Sequence, residues 1–358
     1  MKPTFLFLFI SIALSKPSPA QTSQDTITTY LENAVSEYNI PSISAGILVD
    51  GEIIWSGAAG FSDREEQVET TGETLYRIGS ISKVLTTALV LRLAETGQID
   101  LQDFVQKYIP DYPVDKKGPI KVIHLLSHTS GIDHYRGKET RSFIHYDNLR
   151  DASRIFENRK LTFVPGTKYR YTSYGFTLLG AVIEAATGKS YESNLKALVL
   201  DPAGMRNTFI EDRTDPKSGQ AALYKKKGNE IIRDVDNDLS NIYPAGGLLS
   251  TASDLLLFYE AWRNGKLISK ENVQKMLDAV ENNGQVLDEN AGLGWNIWKH
   301  NKHGWVCHRI GGQSGTSALL ISYREQGVTV ALLSNQAVLD PIWEITNTLI
   351  GFGLDHKE

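Results

Sequence analysis

Segments with strand character lie at the two ends of this 358-residue chain, and segments with helical character lie between them. Near the N-terminus, the predicted strands Ser42–Val49 and 52–57 are joined by Asp50 and Gly51, a pair that accepts the positive φ angles of a two-residue hairpin. Near the C-terminus, strands are predicted at 304–309, Thr316–Tyr323 and Val328–Ser334. We therefore expect one antiparallel sheet completed by both chain ends, with the middle of the chain inserted beside it.

Apolar helices are predicted in the middle of the chain. The segment 83–96 is apolar nearly all round and stops at Gly97, which is typical of a buried helix with a glycine cap. Further helices are predicted at 174–187, at 253–263, from Thr26 onward and at 341–350. The pattern predicts an α+β fold in which helices flank the antiparallel sheet and a mostly helical lobe is inserted.

The chain is expected to form one domain over residues 21–358 after a signal peptide at 1–20. Within that domain, we expect a sheet lobe at about 21–80 and 290–358 and a helical lobe at about 81–289.

The first twenty residues have the pattern of a targeting segment. Lys2 supplies a positive start, residues 5–14 are predominantly apolar, and Ser18-Pro19-Ala20 has the small-x-small pattern of a cleavage site. This apolar stretch is shorter than the roughly 18 residues that span a bilayer, and no later stretch is long enough. We expect export to the periplasm or the extracellular space, with no membrane segment after cleavage. A retained N-terminal membrane anchor is the alternative.

Charge and cysteine content exclude several classes of function. Lys and Arg number 37 against 42 Asp and Glu, and a net charge of −5 gives no basic surface for a nucleic acid. The single cysteine, Cys307, rules out an internal disulfide and a zinc site with several thiolates. His124 and His128 have helical metal-ligand spacing with His134 nearby, but no Glu follows His124 as in a zincin helix, so no metal is expected.

The sharpest chemical signal is Ser80-Ile81-Ser82-Lys83, placed where a buried helix begins. At a spacing of three, the Lys83 amine can reach the Ser80 hydroxyl on one helix face. A lysine among apolar residues has its charge disfavoured and can take a proton, which would turn the serine into a nucleophile. The alternative is a serine helix cap followed by a solvated lysine.

Together with this motif, four further segments resemble the serine β-lactamase and penicillin-binding-protein superfamily, and most closely its class C β-lactamase branch. These segments are 125–131 (LLSHTSG), 165–175 (PGTKYRYTSYG), 245–255 (AGGLLSTASDL) and 309–312 (RIGG). The resemblance covers roughly 27–335 and implies a cofactor-free serine hydrolase that forms an acyl-enzyme.

The resemblance also implies roles for individual residues. Ser80 matches the acylated nucleophile, Lys83 its activating lysine, and Tyr171 the tyrosine that moves the proton and activates the deacylating water. The backbone N–H groups of Ser80 and Gly312 match the oxyanion hole. Neighbouring cations would lower the pKa of such a tyrosine and make it a better base.

Two positions depart from the family pattern. Ser173 stands where these β-lactamases carry an asparagine that binds the substrate amide, and Arg309 stands before Gly311 where they carry a lysine. Arginine binds a carboxylate bidentately and stays protonated, so Arg309 is expected to anchor substrate. His308 could take that place only if the strand register slipped by one. Both departures predict weak β-lactam turnover.

We therefore expect an exported serine hydrolase acting on an amide or ester of a small molecule or peptide, as a D,D-peptidase, another peptidase, an esterase or a β-lactamase. The alternative is a slow or non-turning-over penicillin-binding, sensor or self-assembling protein. The oligomeric state does not follow from the sequence.

Overall fold

The computed structural model describes residues 19–357, without the side chains of 19–23 and 140. The predicted signal peptide thus lies outside the described residues except for Pro19 and Ala20. The helices are α1 (Pro19–Glu37), α2 (Ser82–Glu95), α3 (Val105–Tyr108), α4 (Val122–Leu126), α5 (Leu149–Ser153), α6 (Ser173–Thr187), α7 (Tyr191–Leu195), α8 (Asp201–Ala203), α9 (Tyr243–Gly246), α10 (Ala252–Arg263), α11 (Lys270–Leu277) and α12 (Ile342–Asp355).

The strands range from two to twelve residues in length. They are β1 (Ser42–Val49), β2 (Glu52–Asp63), β3 (Val68–Glu69), β4 (Tyr76–Arg77), β5 (Phe209–Ile210), β6 (Tyr224–Lys227), β7 (Glu230–Arg233), β8 (Leu248–Ser250), β9 (Val280–Asn282), β10 (Gln285–Asp288), β11 (Asn296–His300), β12 (Gly304–Gln313), β13 (Thr316–Tyr323), β14 (Val328–Ser334) and β15 (Gln336–Ala337).

A seven-stranded antiparallel sheet forms the centre of the molecule, in the order β11-β12-β13-β14-β1-β2-β3. Strand β1 from one chain end pairs with β14 from the other, in a register that runs from Ile43 opposite Ser334 to Val49 opposite Val328. The expected α+β fold, with one sheet completed by both chain ends, is confirmed.

Both faces of the sheet are buried, so successive residues of one strand enter two different cores. On β13, Leu319 and Ile321 pack with α1 and α12, whereas Ala318 and Leu320 face the helices of the middle segment. This double burial explains why β1, β13 and β14 are buried along their whole length and are mostly apolar, without a regular alternation with exposed polar residues.

The middle of the chain contains more strand than the sequence suggested. Short two- and three-stranded sheets, made from β4–β10 and β15, lie outside the main sheet. Helix α1 also begins at Pro19, ahead of the predicted start at Thr26, because the polar residues before Thr26 are compatible with a helix but carry no apolar period. Within the described part of the chain, no helix has the length and apolarity needed to cross a membrane.

The C-terminal end of β12 lies beside the turn that carries Ser80. Strand β11 pairs with β12 only as far as His308, so residues 309–313 of β12 are paired with β13 on one side only. This part of β12 packs against a 3-10 turn at Gly79–Ile81. Glycine permits this approach: a side chain at Gly311 would lie 2.0 Å from the Ile78 carbonyl oxygen, and one at Gly79 would lie 2.6 Å from the Gly312 nitrogen.

Candidate active site

Ser80 lies on the 3-10 turn, and Lys83 lies in the first turn of α2 directly below it. The Lys83 Nζ is 3.3 Å from the Ser80 Oγ and donates to the Ser173 Oγ at 3.1 Å and to the Ala245 carbonyl oxygen at 2.7 Å. Lys83 is fully buried, so these three contacts hold the amine at a fixed place beneath the serine.

Tyr171 reaches the same serine from the other side. Its hydroxyl lies 2.7 Å from the Ser80 Oγ, although the two residues are far apart in the sequence. Tyr171 lies two residues before Ser173, the first residue of α6. The start of this helix therefore supplies both the Tyr171 hydroxyl, which contacts Ser80, and the Ser173 hydroxyl, which contacts Lys83. The structure therefore brings together the three residues that the resemblance assigned to catalysis.

The loop that carries Tyr171 is held by His128. His128 has a φ of 56°, a left-handed conformation that directs its carbonyl and its ring at the same loop. The carbonyl accepts from the Arg170 N–H at 2.9 Å, and the ring Nδ1 accepts from the Thr172 N–H at 3.3 Å. The ring also packs on Tyr171, with centroids 4.6 Å apart. This positioning role was missed in the sequence, where 125–131 gave a family resemblance but no partner for His128.

The buried charges around Ser80 shift each other's protonation. Burial alone would raise the pKa of Tyr171, but the positive charges of Lys83 and Arg309 outweigh burial and lower that pKa to about 7. Burial lowers the pKa of Lys83 to about 8, and Arg309 acts in the same direction, while Tyr171 partly offsets them. Burial, with Arg309 and Lys83 nearby, also lowers the pKa of His128 well below its usual value, so His128 is neutral.

Arg309 lies beneath the site and not in the cleft. Its side chain is 5% exposed, its Nε donates to the Ser80 carbonyl oxygen at 3.3 Å, and its Nη1 donates to the Asn296 Oδ1 at 3.2 Å. Its guanidinium carbon lies 4.8 Å from the centroid of the Tyr171 ring. This placement does not fit the predicted role as a carboxylate anchor, because protein groups already occupy the guanidinium and leave it little free surface.

His308 points to the opposite face of β12. Its ring packs on Trp298 and Trp343, at centroid distances of 4.7 and 5.1 Å. The alternative in which His308 replaces Arg309 beside the serine is therefore not the arrangement in the structure. The register places Arg309 and Gly311 on the side of Ser80.

A cleft of about 650 Å³ opens above Ser80, and Tyr171, Ser173, Gly311 and Gly312 line it together with the serine. Its size suits a small organic substrate. The backbones of 79–80 and 311–312 meet at its base, where a Cβ at Gly311 would lie 3.3 Å from the Ser80 nitrogen and one at Gly79 would lie 2.6 Å from the Gly312 nitrogen. The two backbone segments that the resemblance assigned to the oxyanion hole therefore lie close together beside the serine.

The histidines singled out by their spacing do not converge. His124 Nδ1 accepts from the Lys121 N–H, while His128 Nδ1 is used by Thr172. Within residues 19–357, no group of three or more His, Cys, Asp or Glu side chains is arranged to hold a metal ion.

Comparison with known proteins decides the family. The family described as Beta-lactamase matches residues 25–354, which is nearly the whole chain. The chain belongs to this family. The superfamily resemblance of the five motif segments is thereby confirmed, and the serine, lysine and tyrosine described above lie within the matched range.

Two relatives of known name are similar to most of this chain. The mitochondrial serine beta-lactamase-like protein of Homo sapiens is 28% identical over 306 residues, covering 66% of this chain and 55% of its own length. Penicillin-binding protein 4* of Bacillus subtilis is 27% identical over 311 residues, covering 80% of this chain and 66% of its own. The chain thus spans between half and two thirds of the length of these relatives.

Among solved structures, a D-stereospecific amidohydrolase from Streptomyces sp. superposes with a TM-score of 0.76 at 25% identity. The superposition covers 91% of this chain and 98% of the amidohydrolase. The family match and this neighbour support membership of a family of serine hydrolases and acyl-transferases.

Proposed function

We propose that this protein is a serine hydrolase in which Ser80 is acylated by an amide or ester and Tyr171 moves the proton. The observation that carries this proposal is the contact between the Tyr171 hydroxyl and the Ser80 Oγ, at 2.7 Å, with Lys83 3.3 Å from the same oxygen. A serine hydroxyl needs a base within hydrogen-bond reach to become a nucleophile, and here two candidates meet it.

In acylation, the Tyr171 phenolate takes the proton from the Ser80 Oγ, which attacks the substrate carbonyl carbon. The oxyanion that forms is stabilised by the backbone N–H groups of Ser80 and Gly312. The Tyr171 phenol then gives its proton to the departing alcohol or amine, the bond to the leaving group breaks, and an ester to Ser80 remains. The positive charge of Lys83 favours the phenolate form of Tyr171 before and after this proton transfer.

In deacylation, a water molecule replaces the leaving group beside Tyr171. The phenolate takes a proton from this water, the resulting hydroxide attacks the Ser80 ester, and Tyr171 returns the proton to the Ser80 Oγ as the acid leaves. A single group serves as base and then acid in each half-reaction, which requires a pKa near the working pH. The lowered pKa of Tyr171, about 7, meets this requirement.

A tyrosine base beside the nucleophile supports placing the chain in the class C-like branch of the family. Arg309 takes the place of the family's lysine as the second cation beside Tyr171, with its guanidinium carbon 4.8 Å from the ring centroid. We assign it a positioning role: its charge favours the phenolate, and its bond to the Ser80 carbonyl oxygen fixes the nucleophile's backbone.

We also propose that the protein is exported, on the basis of the targeting pattern at 1–20. Cleavage after Ala20 would remove only the first two residues of α1, Pro19 and Ala20. Fractionation of cells that express the full chain, with mass determination of the product, tests this. An exported protein that starts at Gln21 is expected, and an uncleaved, membrane-bound product would favour the retained anchor.

Intact-mass spectrometry over time tests the proposed function. The protein is mixed separately with a fluorophosphonate, a penicillin and a chromogenic ester, and the adduct is mapped to a residue. We expect permanent fluorophosphonate labelling of Ser80 and a transient acyl adduct from the ester. A permanent ester adduct would favour the slow-binding or sensor alternative, and labelling at another serine, such as Ser82 or Ser130, would overturn the assignment.

A further inference from the structure

Val338 has a backbone conformation that its side chain disfavours. Its φ is 54°, in the left-handed region that β-branched residues rarely adopt because their Cβ substituents crowd the backbone. Its side chain is also 79% exposed, so burial of the valine in the core does not explain the conformation. A strained residue of this kind is kept where the surrounding structure fixes it, and such residues cluster at functional sites.

A single buried hydroxyl fixes the backbone on both sides of Val338. The Ser317 Oγ donates to the Gln336 carbonyl oxygen at 2.9 Å and accepts from the Leu339 N–H at 3.0 Å. Ser317 is paired with Gly312 across the sheet, so this clamp connects the Val338 loop to the strand beside the catalytic serine.

Val338 belongs to an apolar surface on the wall of the catalytic cleft. Ile310 and Trp343 line the same cleft and are 43% and 37% exposed. We call these three residues the apolar shelf. Trp343 is fixed by edge-on contact with His308, at a centroid distance of 5.1 Å, so two of the three shelf residues have a fixed orientation. A rigid apolar surface binds an apolar group without a large ordering cost.

The charges near the shelf favour a neutral ligand. Among the described residues that line the cleft, Arg141 is the only cation; it lies 3.6 Å from Asp234, whose carboxylate also accepts from the Lys225 Nζ at 2.9 Å. His134 is neutral, because burial lowers its pKa to about 4, and Asp340 adds an exposed negative charge beside the shelf. A free carboxylate would therefore compete with Asp234 for the only cation of the described lining and would meet the charge of Asp340 beside the shelf.

We propose that the apolar shelf of Ile310, Val338 and Trp343 binds an aliphatic chain of an uncharged ester or amide substrate and thereby determines specificity. This inference rests on the proposed function, since it assigns the shelf to the substrate of Ser80. The chain can belong to the acyl group or to the leaving group, and both present the same aliphatic surface.

Two series of esters test the proposal on the full chain. One series is methyl esters of acids from acetate to octanoate, and the other is acetates of alcohols from methanol to octanol. The variant is Val338→Asn, because asparagine tolerates the left-handed conformation and removes the apolar surface. The matched control is Val286→Asn, which changes a valine 54% exposed on β10, outside the cleft lining.

In the wild type, we expect kcat/KM to rise about fourfold for each methylene that reaches the shelf, in at least one series. Val338→Asn should lower the ratio between the longest and shortest ester about tenfold in that series and keep the melting temperature. Val286→Asn should keep the wild-type increase of kcat/KM with chain length. If Val338→Asn shows the wild-type increase of kcat/KM with chain length in both series, the proposal is overturned.

Binding in a Ser80→Ala background separates this proposal from the function itself. Calorimetric Kd values for the same esters should fall with chain length, and this dependence should be lost when Val338→Asn is added. If the wild type hydrolyses neither these esters nor the matching amides but this dependence is present, the shelf stands and the hydrolase proposal fails. If neither rate nor affinity depends on chain length, the shelf proposal fails. A second variant, Val338→Gly, relieves the backbone strain and should behave as Val338→Asn does.

Discussion

The base of the catalytic cleft and its apolar shelf are built from opposite kinds of side chain. At the base, Lys83 and Arg309 are charged groups that are 0% and 5% exposed, held by hydrogen bonds to protein atoms. On the shelf, Val338 is apolar and exposed. A buried charge is costly unless it is hydrogen-bonded, and a contiguous exposed apolar patch is typical of a binding site. In our proposals, the base controls the protonation of Ser80 and the shelf controls which substrate binds.

Loss of the nucleophile should have the largest effect. Ser80→Ala should lower turnover by about 10⁶-fold, as expected when a nucleophile is removed from residues that act as a unit, and should abolish fluorophosphonate labelling. Steady-state kinetics and intact mass measure both effects. Folding should be unaffected, since Ser80 is partly exposed. Residual labelling of the variant at another hydroxyl would show that the base of the cleft serves a different nucleophile.

Removing the phenol should have the next largest effect. Tyr171→Phe keeps the ring that packs on His128 but deletes the proton path, so we expect a loss of about 10²- to 10⁴-fold in kcat. Deacylation should suffer at least as much as acylation, which time-resolved mass spectrometry would reveal as a longer-lived adduct. An unchanged rate would mean that Lys83 alone activates the serine.

Arg309 should act through the protonation of Tyr171. Activity of the wild type should fall as pH is lowered through about 7, because Tyr171 then takes up a proton and loses its basicity. Arg309→Met removes a positive charge that favours the phenolate, so the acid limb of the pH–rate profile should move to higher pH. At pH 6 this should cost about tenfold in rate. Arg309→Lys is the matched control and should keep most of the acid limb in place.

The smallest effect concerns substrate charge. Two esters that differ only by a free carboxylate should lose activity equally in Arg309→Ala, because the guanidinium is bonded to Ser80 and Asn296 and not to substrate. The kcat/KM ratio of the two esters, measured on both proteins, provides the test. A loss confined to the acidic ester would restore Arg309 as a carboxylate anchor and weaken the contrast between base and shelf.

The main sheet followed closely from the sequence. The bounds of β1, β13 and β14 match the predicted strands because each is a continuous β-branched or apolar run ended by turn residues. Helix α2 and its Ser80-x-x-Lys83 junction were predictable for the same local reasons. The two-residue strands of the small sheets were not, since so few residues carry no period.

The contacts that position the site depend on long-range packing. No local pattern indicates that His128 holds the Tyr171 loop or that Ser317 clamps the backbone around Val338, because each pair comes together only through the fold. The family resemblance placed Arg309 beside the site, and its chemistry as an arginine gave it the expected role of carboxylate anchor. Its burial under Tyr171 depends on the register of β12 against the 3-10 turn, which a sequence does not specify.

We expect the base of the cleft to hold Tyr171 as a phenolate near neutral pH, and the ultraviolet absorbance of tyrosinate reports this ionisation. The chain has 15 tyrosines, and burial raises the pKa of others, such as Tyr76 to about 12, so Tyr171 should ionise well before them. A pH titration of the wild type should show one tyrosine ionising near pH 7, and Tyr171→Phe should lack this step. The absence of any tyrosinate signal below about pH 9 in the wild type would contradict the account, because an unperturbed phenol ionises near pH 10.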